Sequence, residues 1–313
     1  MEVNEQTLRS ATRPGKKGDA GRALRRRRAL SAWLFMLPLI AVNVLVILGP
    51  SVATVYYSFT DWSGIGPAEW VGLQNYTDAL TDADFWSALW HNLVWTIIFL
   101  TVPIGMGLLG AFLLSQITRF QMIFRVLYFI PYVMASVVNA ALWQNILDPD
   151  RGAGSVLAAV GIPWLDGVSF FGSQALALPS VAFVDNWHWW GFVVLLFLTA
   201  LQSVDKELYE AAKMDGANRW QQFVNVTIPG IRSTLVFVVL MTIIGSLLVF
   251  DYIYIITQGG PAGASEVVAT LMYKEAFARF EAGYAAALGL GMSFLSGIVV
   301  LIFIFLRRRG WEV

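Results

Sequence analysis

Residues 203–233 read SVDKELYEAAKMDGANRWQQFVNVTIPGIRS. This polar run separates two apolar stretches, 179–202 and 234–257, and is far longer than the connection of about 2 to 8 residues that reverses two antiparallel helices. Its pattern predicts two short helices. The first covers 205–214 and stops at Asp215-Gly216. The second opens at Asn218, with Gln221 placed as in a capping box, and ends before Pro229. Leu208, Ala211 and Ala212 share a face of the first, and Trp220, Phe223, Val224 and Thr227 recur at i, i+3, i+4 and i+7 in the second. Two amphipathic helices in series thus lie between two apolar walls.

On both sides of the run the composition is that of a membrane protein: 57% of the 313 residues are apolar and 13% charged, about half the roughly 25% of soluble domains. A bilayer core about 30 Å thick needs about 20 apolar helical residues. Six stretches qualify, 32–58, 89–115, 124–147, 179–202, 234–257 and 284–306. The expected fold is therefore all-α and polytopic, with six transmembrane helices, a membrane domain over 31–306 that includes the loop 203–232, and tails at 1–30 and 307–313. Basic residues orient it. Nine of them lie in the first 30 residues, and the second, fourth and sixth connections carry Arg119 and Arg125, then Lys206, Lys213, Arg219 and Arg232, then Arg307 to Arg309. The opposite side has only Arg151, Lys274 and Arg279, and its first loop is acidic, with Asp61, Glu69, Asp78, Asp82 and Asp84. Eighteen positive charges against three place both termini and the 203–233 loop in the cytoplasm. The basic start does not read as a secretory signal, because the apolar run exceeds an h-region and further spans follow. Residues before Ala23 are expected to be disordered.

Several chemistries are excluded. The chain has no cysteine and two histidines, His91 and His188, so disulfide scaffolds, thiol nucleophiles and Cys/His zinc sites fall away, and its net charge of zero gives no pull toward nucleic acid. No Gly-x-x-x-x-Gly-Lys-Ser/Thr run occurs, so ATP is not bound here by that mechanism. No catalytic, metal or cofactor residue is expected in this chain. Energy then comes from partner subunits or an ion gradient. The spans hold only Asp185, His188 and Asp251 as ionisable groups, with His91 and Arg125 at span ends, which disfavours a proton- or sodium-coupled carrier.

The loop carries a resemblance. Glu210-Ala211-Ala212, three residues, Gly216, nine residues and Val226-Thr227-Ile228-Pro229 resemble the EAA loop of bacterial ATP-binding-cassette importer permeases, with Val and Ile in place of the family's Ile and Leu. Phe129-Ile130-Pro131, Glu207-Leu208-Tyr209, Phe250-Asp251-Tyr252-Ile253-Tyr254, Gly259-Gly260-Pro261 and Tyr284-Ala285-Ala286-Ala287 extend it over nearly the whole chain. The match is closest to carbohydrate permeases of the maltose and glycerol-phosphate type, and to the first permease of the pair. The resemblance implies a coupling loop that docks on a separate ATPase, using Glu210, Ala211, Ala212, Asp215, Gly216 and Pro229. It also implies a second six-helix permease, two ATPase subunits that bind ATP and magnesium, an extracytoplasmic solute-binding protein, a carbohydrate substrate, lipid around the spans and a place in the bacterial inner membrane. An isolated exposed Glu is ordinarily a solvated helix charge; within this motif docking is the favoured reading of Glu210.

In the fourth span Asp185, Trp189 and Phe192 fall on one helical face, with Asn186 and His188 beside them. Aromatic rings next to carboxylate and amide groups suit the C–H face and hydroxyl rim of a sugar. This stretch resembles the sugar-lining region of the maltose-type permease, where an amide pair leads; Asp185 stands in place of the first amide. Thr242 and Ser246, one turn apart in the fifth span, match the family's polar contacts there, although hydroxyls in spans more often bond backbone. Asp251 falls toward the outer interface and reads as structural or gating. The competing classes are a secondary carrier and a polytopic membrane enzyme, for which Asp185 with His188 is the only approach to a catalytic pair.

Overall fold

The computed structural model describes residues 31–117 and 119–308. The basic tail 1–30 and residues 309–313 lie outside them, as do the readings made of those segments. The chain divides into two units, Met1–Thr54 and Val55–Val313. The described part of the first unit is the apolar helix α1 (Ser31–Tyr57), which enters the second unit at its last turn. Within α1, Val44–Leu48 take the wider π register just before Gly49-Pro50.

The second unit holds, in order, α2 (Gln74–Thr81), α3 (Ala83–Ser115), α4 (Gln121–Val133), α5 (Ser136–Ile146), α6 (Ala153–Ala159), α7 (Ala177–Ser203), α8 (Lys206–Met214), α9 (Arg219–Gly230), α10 (Arg232–Leu247), α11 (Asp251–Ile256), α12 (Val268–Phe277) and α13 (Ala282–Arg308). Four helices, α1, α3, α7 and α13, are each long and apolar enough to cross a membrane unbroken. Six crossings follow if two bent pairs each count as one: α4 with α5, at 98°, and α9 with α10, at 72°. The stretches 124–147 and 234–257, each expected as one spanning helix, are both interrupted. In the first, Met134 and Ala135 are extended between α4 and α5. Pro131 donates no amide in the last turn of α4, so that turn is loosened where the helix ends. In the second, α10 stops at Leu247, and Phe250 leaves helical geometry before α11 begins.

α3 and α7 form the most extensive helix pair. Their seam buries Ala111, Leu114, Val193, Val194, Phe197 and Leu198 at one end, and Trp95, Phe99, Val181 and Val184 toward the other, where Tyr252 and Ile253 of α11 join them. α4 crosses α7 at Gly191, whose missing side chain makes room for the Tyr128 carbonyl; a Cβ there would overlap that oxygen. At the end of the bundle remote from α8 and α9, Asn92 of α3 is fully buried. It donates to the Ser246 carbonyl of α10 at 2.9 Å and accepts from the Val268 amide of α12 at 2.9 Å. One amide side chain thereby closes two helix ends, satisfying groups that a buried terminus would leave unpaired.

Candidate functional site

The loop 203–233 folds as the expected helix pair. Asp205 caps α8 by accepting from the Glu207 amide, and Asn218 and Gln221 form the capping box of α9 with bonds of 2.8 and 2.9 Å. Between them Gly216 has φ +80°, and the Ala217 amide reaches back to the Ala212 carbonyl at 2.9 Å while Gly216 bonds Lys213 at 3.0 Å. That is a Schellman stop, which requires a left-handed residue where Gly216 sits. The second helix does not end before Pro229. It passes through a π segment, Phe223–Thr227, and stays helical to Gly230, turning only at Ile231. Proline clashes with the carbonyl four residues earlier, and the wider register just ahead of it relieves that contact, as before Pro50 in α1.

A hydrogen bond of 2.9 Å between the Tyr209 hydroxyl and the buried Thr227 hydroxyl straps α8 to α9 into one hairpin, called the lever below. Glu210, Ala211, Asp215, Gly216 and Pro229 are exposed, and Ala212 is half-buried. Leu208, Met214 and Trp220 are more than half exposed on the same element, Met214 at 88%. A rigid hairpin that presents apolar side chains beside a free carboxylate is a surface made for contact.

Along α7 lies a pocket of about 390 Å3, lined by Ser136, Asp185, His188, Trp189, Gly245, Leu248 to Phe250, Asp251 and Tyr252. It brings together Asp185, His188 and Trp189, and adds Asp251 to them. The carbonyl of buried Pro131, in the last turn of α4, accepts from His188 Nδ1 at 2.9 Å and from the Met134 amide at 3.3 Å. A carbonyl only accepts, so Nδ1 carries the proton and, in the neutral ring, Nε2 is an acceptor. Behind His188, outside the pocket lining, the Tyr132 ring stands 5.3 Å from it and stacks at 4.7 Å on Phe192, which does not line the pocket either. Asn139 of α5 donates to the Tyr252 hydroxyl at 2.9 Å and fixes that ring. The other sequence-selected residues sit elsewhere. Asn186 is buried with its amide toward Met106 of α3, while Thr242 and Ser246 are buried, outside the pocket lining, with hydroxyls that have no hydrogen-bond partner among the described residues. Tyr132, Ser136, Asn139 and Tyr252 were not selected from the sequence as site residues. Phe129-Ile130-Pro131 was the signal nearest to Tyr132, and reading 124–147 as one spanning helix hid the break that follows it.

A sequence profile of the family described as "binding-protein-dependent transport system inner membrane component" matches residues 103–309, about two thirds of the chain. The chain belongs to that family. It is similar to the probable ABC transporter permease protein YurN of Bacillus subtilis (strain 168), 34% identical over 82% of this chain and 88% of the relative. It is also 32% identical to the arabinooligosaccharides transport system permease protein AraP of the same organism, over 86% of each. A solved bacterial ABC transporter involved in importing the acidic polysaccharide alginate shares the fold, with a TM-score of 0.79 at 23% identity over 93% of this chain and 99% of that one. The matched range of this permease contains α4 to α12, and with them the lever and every residue of the pocket. It is the membrane-embedded component of an importer.

Proposed function

We propose that this permease subunit conducts a sugar or oligosaccharide, and that its α8–α9 lever seats on a separate ATPase. The observation that carries the reading is the lever itself: a capped, strapped hairpin with an outward Glu210 and exposed Leu208, Met214 and Trp220, joined to pocket-lining α7 through Val204. Force applied at its exposed face reaches the pocket through one unbroken helix. In this reading the lever and both termini are cytoplasmic, ATP and magnesium belong to two ATPase subunits, and a second permease of the same fold completes the pathway. An extracytoplasmic binding protein delivers the solute. The pocket supports a carbohydrate. Trp189, Phe250 and Tyr252 give the lining aromatic surface for C–H groups, and Asp185, Asp251 and neutral His188 offer acceptors to hydroxyls. AraP, named as a permease for arabinooligosaccharides, points to the same class. A polyol phosphate, the other substrate read from the sequence, would set a phosphate beside two carboxylates in a lining without Lys or Arg, so a neutral sugar is preferred.

The test uses the assembled importer in vesicles. Asp185→Ala is expected to impair uptake while ATP hydrolysis stays inducible by the loaded binding protein. Glu210→Ala is expected to leave the chain inserted but to separate hydrolysis from uptake. Unchanged uptake in both variants at normal expression refutes the reading.

A further inference from the structure

Where the lever meets the ends of α3 and α7, a cavity of about 960 Å3 opens. α8 sorts its charges around it. Lys206, Tyr209 and Lys213, at i, i+3 and i+7, line the cavity, whereas Glu207, Glu210 and the flanking Asp205 and Asp215 do not. α9 adds Arg219. Three cations thus surround a space whose lining contains no carboxylate, and none of the three is in an ion pair among the described residues. Like charges gathered without counter-ions repel, and an anion among them removes that cost. The remaining lining is part apolar, with Phe112 from the last turn of α3, Leu201 from the last turn of α7 and Phe223 from the lever. Ser115, the last residue of α3, and Gln202 and Val204 at the end of α7 line this cavity, so it opens where two membrane-spanning helices end, on the side where a leaflet's headgroups lie.

We propose that the cavity binds an anionic phospholipid of the adjoining leaflet, with the phosphate among Lys206, Lys213 and Arg219 and the first acyl carbons against Phe112 and Leu201. A sugar would leave the cations uncompensated, and a purely apolar ligand would bury them. A lipid held there braces the lever against the ends of α3 and α7, which makes coupling sensitive to the anionic lipid content of the membrane. This goes beyond sugar transport and stands or falls separately from it.

The experiment takes the full-length protein in mild detergent. Phosphatidylglycerol and phosphatidylcholine with the same acyl chains are titrated, and bound lipid is counted by native mass spectrometry. The protein is expected to retain phosphatidylglycerol preferentially. A basic residue near an anionic surface contributes about fivefold, so each single substitution Lys206→Gln, Lys213→Gln or Arg219→Gln should weaken the preference about that much, and the triple variant on the order of a hundredfold. The single variants keep the test decisive if the triple variant fails to fold. Lys274→Gln, at the opposite end of the bundle, should keep the preference. Equal retention of phosphatidylglycerol by the cavity variants overturns the proposal. So does competition by inorganic phosphate alone, which would make the occupant a soluble anion. Loss of a co-purifying ATPase in the variants with an unchanged lipid count also overturns it, since the cations would then belong to the ATPase interface.

Discussion

Gly216 offers the cleanest separation of backbone geometry from surface contact in the lever. Its φ of +80° completes the Schellman stop between α8 and α9, and a Cβ added there meets nothing within 4 Å. Substitution therefore costs only the left-handed conformation, about 1–2 kcal/mol for an ordinary L-residue and less for Asn, whose side chain bonds locally. A change of that size moves the equilibrium between the reversed lever and opened forms about 5–30-fold. The assay is ATP hydrolysed per solute imported by the reconstituted importer, across Gly216→Asn, Gly216→Ala and Gly216→Val. Asn should stay near the parent, Ala should raise the ratio several-fold, and Val, β-branched, should raise it further. The strap supplies an internal check: Tyr209→Phe, which removes a hydrogen bond worth about 0.5–1.5 kcal/mol, should shift the ratio in the same direction. If the ratio instead follows side-chain bulk, with Asn as harmful as Val, the loss arises from a clash with a docked surface and the conformational argument fails.

Asn92→Leu should lower thermal stability by about 2–6 kcal/mol, because it strands the Ser246 carbonyl and the Val268 amide, at about 1–3 kcal/mol each. Scanning calorimetry or protease resistance of the 258–281 segment reads this, and an unchanged melting temperature contradicts it. Glu275, on α12 outside the spans, is 1% exposed, and burial holds its carboxyl above the ordinary 4.5 despite Arg279 at 2.5 Å, with Glu281 and Asp82 pushing the same way as burial. A raised folded-state pKa means that the folded protein binds this proton more readily than the unfolded chain. The residue thus weakens the fold above its folded pKa, and the penalty falls away as pH drops through that value toward 4.5. Glu275→Gln should flatten this part of the stability–pH curve; a curve that superimposes on the parent's assigns the dependence to other groups.

What the sequence made legible was whatever is encoded within a few residues. Apolar windows marked the membrane segments because insertion depends on summed side-chain hydropathy. Asp205, Asn218, Gln221 and Gly216 marked the lever's ends because caps and Schellman stops are local hydrogen-bond motifs. The breaks after Val133 and Leu247 stayed hidden because hydropathy does not register backbone geometry, and the break after α4 is accompanied by a hydrogen bond that His188, 57 residues away, donates to the Pro131 carbonyl. Asn92 read as one polar residue in an apolar run, since its partners lie 154 and 176 residues along the chain. Pro229 misled for the opposite reason: a local rule named it a stop, and a π segment let the helix continue.

Those two breaks have a mechanical consequence. Ser136 follows the first and Leu248 to Phe250 form the second, and all of them line the same 390 Å3 pocket. The α3–α7 pair beside it is unbroken over 33 and 27 residues, and it carries the deepest core of the unit. A continuous backbone ladder resists bending, whereas residues outside it absorb φ/ψ change at little cost. Displacement of the lever should therefore travel along α7 as a rigid bar and be taken up at the breaks, beside the pocket that Asp185, Asp251 and Tyr252 line. In the proposed coupling, a pocket bordered by both discontinuities would change shape with such a displacement and bind its solute with different affinity in the two states, which is the condition for driven release.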